Sequence, residues 1–211
     1  MNENRLPPPL TSTRLLRGVK ELITRDRDLA RVVQRFGPPP LWARRPGFAA
    51  LVRIILEQQV SLASARAAYS RLKAAAGRVT PHRIAKISDA QLRRYGLTRQ
   101  KASYCKNLAN CIVDRNLTLS HLLQLDDHAG RSRLLQVPGI GPWTADIYLL
   151  MVLRRPDVWP CGDLALAKAV QQVKRLHSCP TQEELQRIAR AWAPWRAVAA
   201  RILWHFYLSN K

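Results

Sequence analysis

The run from Leu134 to Ala145, LLQVPGIGPWTA, carries residue types that could grip an anion. Gly139 and Gly141 lie two apart, so the backbone there can take φ > 0 and come close to something flat or anionic. Pro142 suits the first turn of a helix. The open N–H groups of a helix start, aligned with its dipole, form a site that a phosphate fits. Twenty residues after Trp143, Asp163 follows Gly162 and opens the segment LALAKAVQQVKRL. A helix N-terminus favours negative charge. A carboxylate held there can stabilise positive charge developing on a substrate, and can orient or deprotonate an attacking water. Each half of the pattern is common alone, since Gly-x-Gly turns join many helices and Asp is a frequent N-cap. The informative feature is the order: an anion grip, then one acid at a helix start.

The composition points to the same kind of partner. The chain has 211 residues, with 35 Lys and Arg against 14 Asp and Glu, for a formal charge of +21. Hydrophobic residues make up 47%, so this is a packed domain facing a polyanion and not a basic tail. No apolar run approaches the ~20 residues of a membrane span. The start, MNENRLPPPL, lacks an apolar signal region. The expected location is the cytoplasm, with nucleoid association, in a reducing compartment. Cys105, Cys111, Cys161 and Cys179 form no CxxC pair, and no His/Cys group has zinc spacing. All four are expected to be reduced packing thiols.

The elements that must position these residues read as helices. Residues 1–11 are polar and Pro-rich and are expected to be a disordered arm; 12–211 are expected to form a single domain of two helical lobes. Helical spacing runs through 12–36 and stops at Gly37-Pro38-Pro39-Pro40. A strongly apolar helix is expected over Phe48 to Gln59. Ser61 can cap the next one, which runs to about Ala76. Ser88 and Thr181 begin capping boxes. Thr98 opens another helix, Asp126 or Asp127 starts the one before the hairpin, and the last covers about Pro194 to Leu208. No alternating run bounded by turn signals suggests a sheet.

Four segments carry a family resemblance: ILEQQVSLASA at 55–65, GLTRQKA at 96–102, VPGIGPWTA at 137–145 and WAPWRAVAARILWHFY at 192–207. Together they resemble the helix-hairpin-helix (HhH-GPD) DNA glycosylase superfamily. The WxPWR segment is similar to the 3-methyladenine DNA glycosylase II, or AlkA-type, branch. The resemblance implies an all-α, two-lobed fold with a central cleft, compact and without the N-terminal β lobe of larger members. Strand-cutting members carry a Schiff-base Lys after the hairpin proline. Here that position is Trp143, which implies a monofunctional enzyme.

Further roles follow from the same resemblance. Asp163 would be catalytic. Trp143 and Trp204 would face a base flipped out of the duplex, with Ile147 at a position where a stacking Tyr is usual. Gly139, Ile140, Gly141, Thr144 and Lys101 would contact DNA, and the turn at Gln59, Val60 and Ser61 would supply the wedge. The backbone carbonyls of Leu135, Val137 and Gly139 would hold a monovalent cation, sodium or potassium. No other cofactor is implied, and no cysteine follows Cys179 to bind an iron–sulfur cluster. Glu57 stands where a small residue is usual and needs a basic partner if it lies near DNA.

No strong general acid is evident, which suits a leaving group that is already cationic, such as 3-methyladenine or 7-methylguanine. The expected function is therefore excision of alkylated purines in base excision repair. The partner is double-stranded DNA with damaged bases, bound by a monomer. Two alternatives stay open: a glycosylase for hypoxanthine or uracil, and a damaged-DNA-binding protein without catalysis.

Overall fold

The computed structural model describes residues 6–210. The chain divides into two compact units. Residues 6–43 and 149–210 form one, and 44–148 form the other. No strand occurs among the described residues, and no described helix is long and apolar enough to cross a membrane.

The first unit is built around its last helix. It contains α1 (Ser12–Arg25) and α2 (Arg27–Phe36). The helices of the second unit come next in the chain, and α10 (Leu164–Val173), α11 (Gln182–Arg190) and α12 (Arg196–Ser209) complete the first unit. Helix α12 packs on α1, α2 and α10. Every residue from Ala197 to Trp204 is buried, as expected of a helix covered on all sides. Arg201 is among them. Its guanidinium donates to the carbonyls of Leu41 at 2.9 Å, Ala197 at 2.8 Å and Leu150 at 2.9 Å. Burial without a carboxylate among these contacts pushes the Arg201 pKa down to about 10. Leu150 lies in a π-helical turn, Tyr148–Val152, whose widened backbone offers carbonyls to such a donor.

The single periodic stretch expected over 12–36 is two helices. Asp26 leaves the helical region at φ −131° and caps α2, accepting from the N–H groups of Asp28 and Leu29. The expected disordered arm also needs correction. Residues 1–5 lie outside the described residues, but Leu10 is fully buried and its N–H donates to the Arg154 carbonyl at 2.7 Å. Thr11 caps α1.

The second unit contains α3 (Phe48–Glu57), α4 (Leu62–Ala76), α5 (Pro81–Lys86), α6 (Asp89–Arg94), α7 (Arg99–Val113), α8 (Asp127–Leu135) and α9 (Pro142–Ile147). Helix α7 packs on α3, α5 and α6, and α3 also meets α4 and α9. The buried stripe of α7 is Ala102, Cys105, Leu108 and Ala109. Burial pushes the Cys105 thiol up to about 12, so it behaves as an apolar packing group. All four cysteines are free thiols, but Cys179 is exposed and is not a packing residue. The Ser88 and Thr181 capping boxes form as expected, and Asp126 rather than Asp127 caps α8.

Candidate functional site

The hairpin joins α8 to α9 in the second unit. Its turn is closed by the Ile140 N–H donating to the Val137 carbonyl at 3.0 Å. Gly139 sits at φ +98°, where a side chain is strained, and a Cβ there would lie 2.2 Å from the Tyr104 ring. Gly141 differs: it is extended, at φ −87° and ψ 178°, and a Cβ would meet nothing within 4 Å. Only Gly139 uses the glycine-specific conformation that the sequence allows both. Gly141 leaves open space in front of the first turn of α9, which no side chain caps.

Two residues expected to touch DNA are turned inward instead. Ile140 is buried and anchors the turn to the core. Thr144 is 1% exposed, and its hydroxyl accepts from Gln58 Nε2 at 2.8 Å. The same Nε2 donates to the Gly139 carbonyl at 3.0 Å. Gln58, not singled out in the sequence, therefore braces both sides of the hairpin. The Val137 and Gly139 carbonyls, expected as cation ligands with that of Leu135, each already accept one hydrogen bond and keep one lone pair. Behind the turn, Arg131 of α8 pairs with buried Asp146 of α9 at 2.7 Å.

Lys101, also expected to contact DNA, is engaged within its own unit. Its Nζ donates to the Leu56 carbonyl at 2.7 Å, and burial lowers its pKa. It satisfies one of the orphan carbonyls at the C-terminal end of α3. Glu57, the acid in a position that needed explaining, pairs with Arg44 at 2.9 Å. The following turn is exposed. Gln59 takes φ +54°, Val60 is 45% exposed, and Ser61 spends its hydroxyl capping α4. Leu62, another exposed apolar side chain, extends this ridge and was not anticipated. Trp143 is half-buried, whereas Ile147 is buried in the core of its unit rather than forming an open wall.

Asp163 belongs to the first unit. It caps α10, its Oδ1 accepting from the Leu166 N–H at 2.9 Å. Trp204 Nε1 approaches the same Oδ1 at 3.3 Å. Both residues are nearly covered, Asp163 at 9% and Trp204 at 8% exposure. Trp204 thus lies beside Asp163, but its ring is enclosed, and it does not present the open aromatic face expected of it. The Leu166 N–H and the Trp204 indole orient the carboxylate at a helix start, an arrangement that suits charge stabilisation. Among the described residues no cluster of three or more His, Cys, Asp or Glu is arranged to hold a metal ion.

An all-helical chain with a glycine hairpin and a capping aspartate beyond it is a helix-hairpin-helix protein by architecture. The family model for HhH-GPD superfamily base excision DNA repair proteins matches residues 52–194, and the chain belongs to that family. A Bacillus subtilis relative, putative DNA-3-methyladenine glycosylase YfjP, is 26% identical over 184 residues, covering 83% of this chain and 64% of the relative. A second Bacillus subtilis DNA-3-methyladenine glycosylase is 28% identical over 122 residues, which are 58% of this chain and 40% of that one. The chain therefore spans less than two thirds of the length of both. DNA-3-methyladenine glycosylase 1 of Schizosaccharomyces pombe is 27% identical over 186 residues, 83% of this chain and 79% of the relative. The solved structure of the S. pombe 3-methyladenine DNA glycosylase Mag1 with abasic DNA superposes with a TM-score of 0.79 at 26% identity, covering 89% of this chain and 95% of that one.

Proposed function

We propose that this protein is a monofunctional DNA glycosylase of base excision repair, acting on alkylated, cationic purines such as 3-methyladenine and 7-methylguanine. The observation that carries the reading is Asp163, buried at the start of α10 with its Oδ1 facing the Leu166 N–H and the Trp204 indole. Similarity to relatives named for 3-methyladenine supports the substrate class.

The duplex is gripped through its phosphates by backbone N–H groups at Gly139 and Gly141, helped by the +21 charge. The exposed ridge at Gln59, Val60 and Leu62 fills the gap left by the flipped nucleotide. Trp143 offers a partly open ring, worth roughly 0.5–2 kcal/mol to a cationic base by cation–π attraction. The bond from C1′ to the base nitrogen breaks with both electrons leaving on the base, which departs neutral. Asp163 stabilises the positive deoxyribose and orients the water that adds to C1′. The water's proton is released, and an abasic site remains. Trp143 replaces the amine that would cut the strand. The protein acts as a monomer on damaged DNA in the nucleoid.

The test is a panel of duplexes carrying 7-methylguanine, 3-methyladenine, hypoxanthine or uracil, with borohydride trapping in parallel. Release of the alkylated bases in preference to the neutral ones, without a trapped adduct, is the expected result. Faster release of hypoxanthine or uracil would reassign the substrate. Binding without any release would leave a DNA-binding protein, and a trapped adduct would make the enzyme a lyase.

A further inference from the structure

Three indoles in the C-terminal part of the first unit each donate to a carboxylate far away in sequence. Trp192 Nε1 reaches Asp26 at 2.8 Å, Trp195 Nε1 reaches Glu21 at 2.6 Å, and Trp204 Nε1 reaches Asp163 at 3.3 Å. At the third, both hydrogen bonds described above fall on Oδ1: the α10 backbone supplies one and the indole the other. One donor fixes where an oxygen lies. A second donor to the same oxygen, from a different helix, reinforces that position and with it the rotation of the carboxylate plane about Cβ–Cγ. The indole is a rigid donor because α12 is buried through Trp204. With the ring covered, little of its face is left for a ligand.

We propose that Trp204 is the positioning residue of Asp163: its indole N–H sets the orientation of the acting carboxylate, and selectivity for cationic bases arises elsewhere. This rests on the glycosylase reading above. It separates the donor from the ring. A pocket wall works through its π face and favours a cationic base, whereas a positioning donor works through the N–H and serves every base equally.

The experiment uses the full chain with Trp204→Phe, and with Trp204 replaced by benzothienylalanine, which keeps the ring shape and lacks the N–H. Single-turnover release is measured on 7-methylguanine and hypoxanthine duplexes, with circular dichroism as the folding control. Both replacements are expected to slow release on the order of 10- to 100-fold on the two substrates alike. Affinity for a duplex with a tetrahydrofuran abasic analogue should change less than about twofold, and in an Asp163→Asn background the replacements should add less than about twofold. The indole ¹⁵N–H resonance of Trp204 should move in Asp163→Ala. Should Trp204→Phe fail to fold, the isosteric replacement and the resonance decide. Unchanged rates, slowing confined to 7-methylguanine, or an unmoved resonance would overturn the positioning role while leaving the glycosylase reading intact. No base release by the wild-type chain would instead overturn that reading, and this inference with it.

Discussion

Asp26 and Asp163 do the same local job with different consequences. Each caps a helix, α2 or α10, and each accepts an indole N–H, from Trp192 or Trp204. Asp26 is also gripped by Lys174, whose Nζ lies 2.8 and 2.7 Å from its two oxygens and 2.9 Å from Asp28. Burial alone would raise the Asp26 pKa, but the hydrogen bonds from Lys174, Trp192 and the Leu29 N–H outweigh it and the value is lowered. The lesson is that a helix-capping acid becomes a structural strut when a cation closes over it. At Asp163 the Leu166 N–H and the Trp204 indole bring donors from two helices onto Oδ1, which orients the carboxylate for chemistry.

Exchanging each acid breaks the comparison most sharply. Asp163→Asn should slow base release by about 10²- to 10³-fold, by analogy with loss of one preorganised electrostatic group. Its stability should hold, because Asn caps helices as well as Asp. Asp26→Ala should do the reverse. It leaves Lys174 half-buried beside Asp28 alone, removes a cap and orphans an indole, at a cost of about 3 kcal/mol in urea denaturation. The rate per folded molecule should stay within about twofold, since the sites are independent.

The same pair sets a pH dependence. Asp26 has a lowered pKa, so its contribution is fully present above the ordinary value of 3.8 and is lost as pH falls through its folded value. Burial alone would lower the Lys174 pKa, but Asp26 and Asp28 outweigh it and the value is raised. Its contribution is present below 10.5 and is lost as pH rises through the folded value. Urea midpoints of wild type and Asp26→Ala should therefore converge below about pH 3.8, and their gap should be widest on the plateau between the two limits.

The hairpin sharpens the contrast between closed and open helix starts. Gly139→Ala forces a side chain to φ +98° and into the Tyr104 ring, and should destabilise the protein by about 2 kcal/mol. Lys101→Met should cost about 1 kcal/mol through the lost α3 cap, with the salt slope of DNA binding unchanged. Gly141→Ala should alter stability by less than about 0.5 kcal/mol. It should still weaken binding to damaged and undamaged duplex alike, because the space it fills is where a phosphate would sit. Thermal melts and duplex titrations of the three variants check this ranking.

Local chemistry was readable in the sequence where the partners are close in the chain. The capping boxes at Ser88 and Thr181, the Asp163 cap and the hairpin each depend on residues within a few positions. The break at Asp26 was not readable, because the apolar period continues across it and only the structure shows the tie to Lys174, 148 residues away. Gln58 was missed for the same reason: its partners Gly139 and Thr144 are 81 and 86 positions distant. The contacts of Lys101 with Leu56 and of Thr144 with Gln58 were equally hidden, because a polar side chain serves the protein as readily as a ligand. Trp204, expected to face a flipped base, lies nearly covered beside Asp163, a posture that a sequence position does not reveal.

The central claim is that the chain removes an alkylated base and leaves the strand whole. The most direct measurement incubates a methylated, end-labelled duplex with wild-type protein, then follows free base by mass spectrometry and strand length by gel. The expected result is free 7-methylguanine or 3-methyladenine, with cleavage appearing only after alkali treatment. Strand cleavage without alkali, or no free base while the duplex is bound, would contradict it.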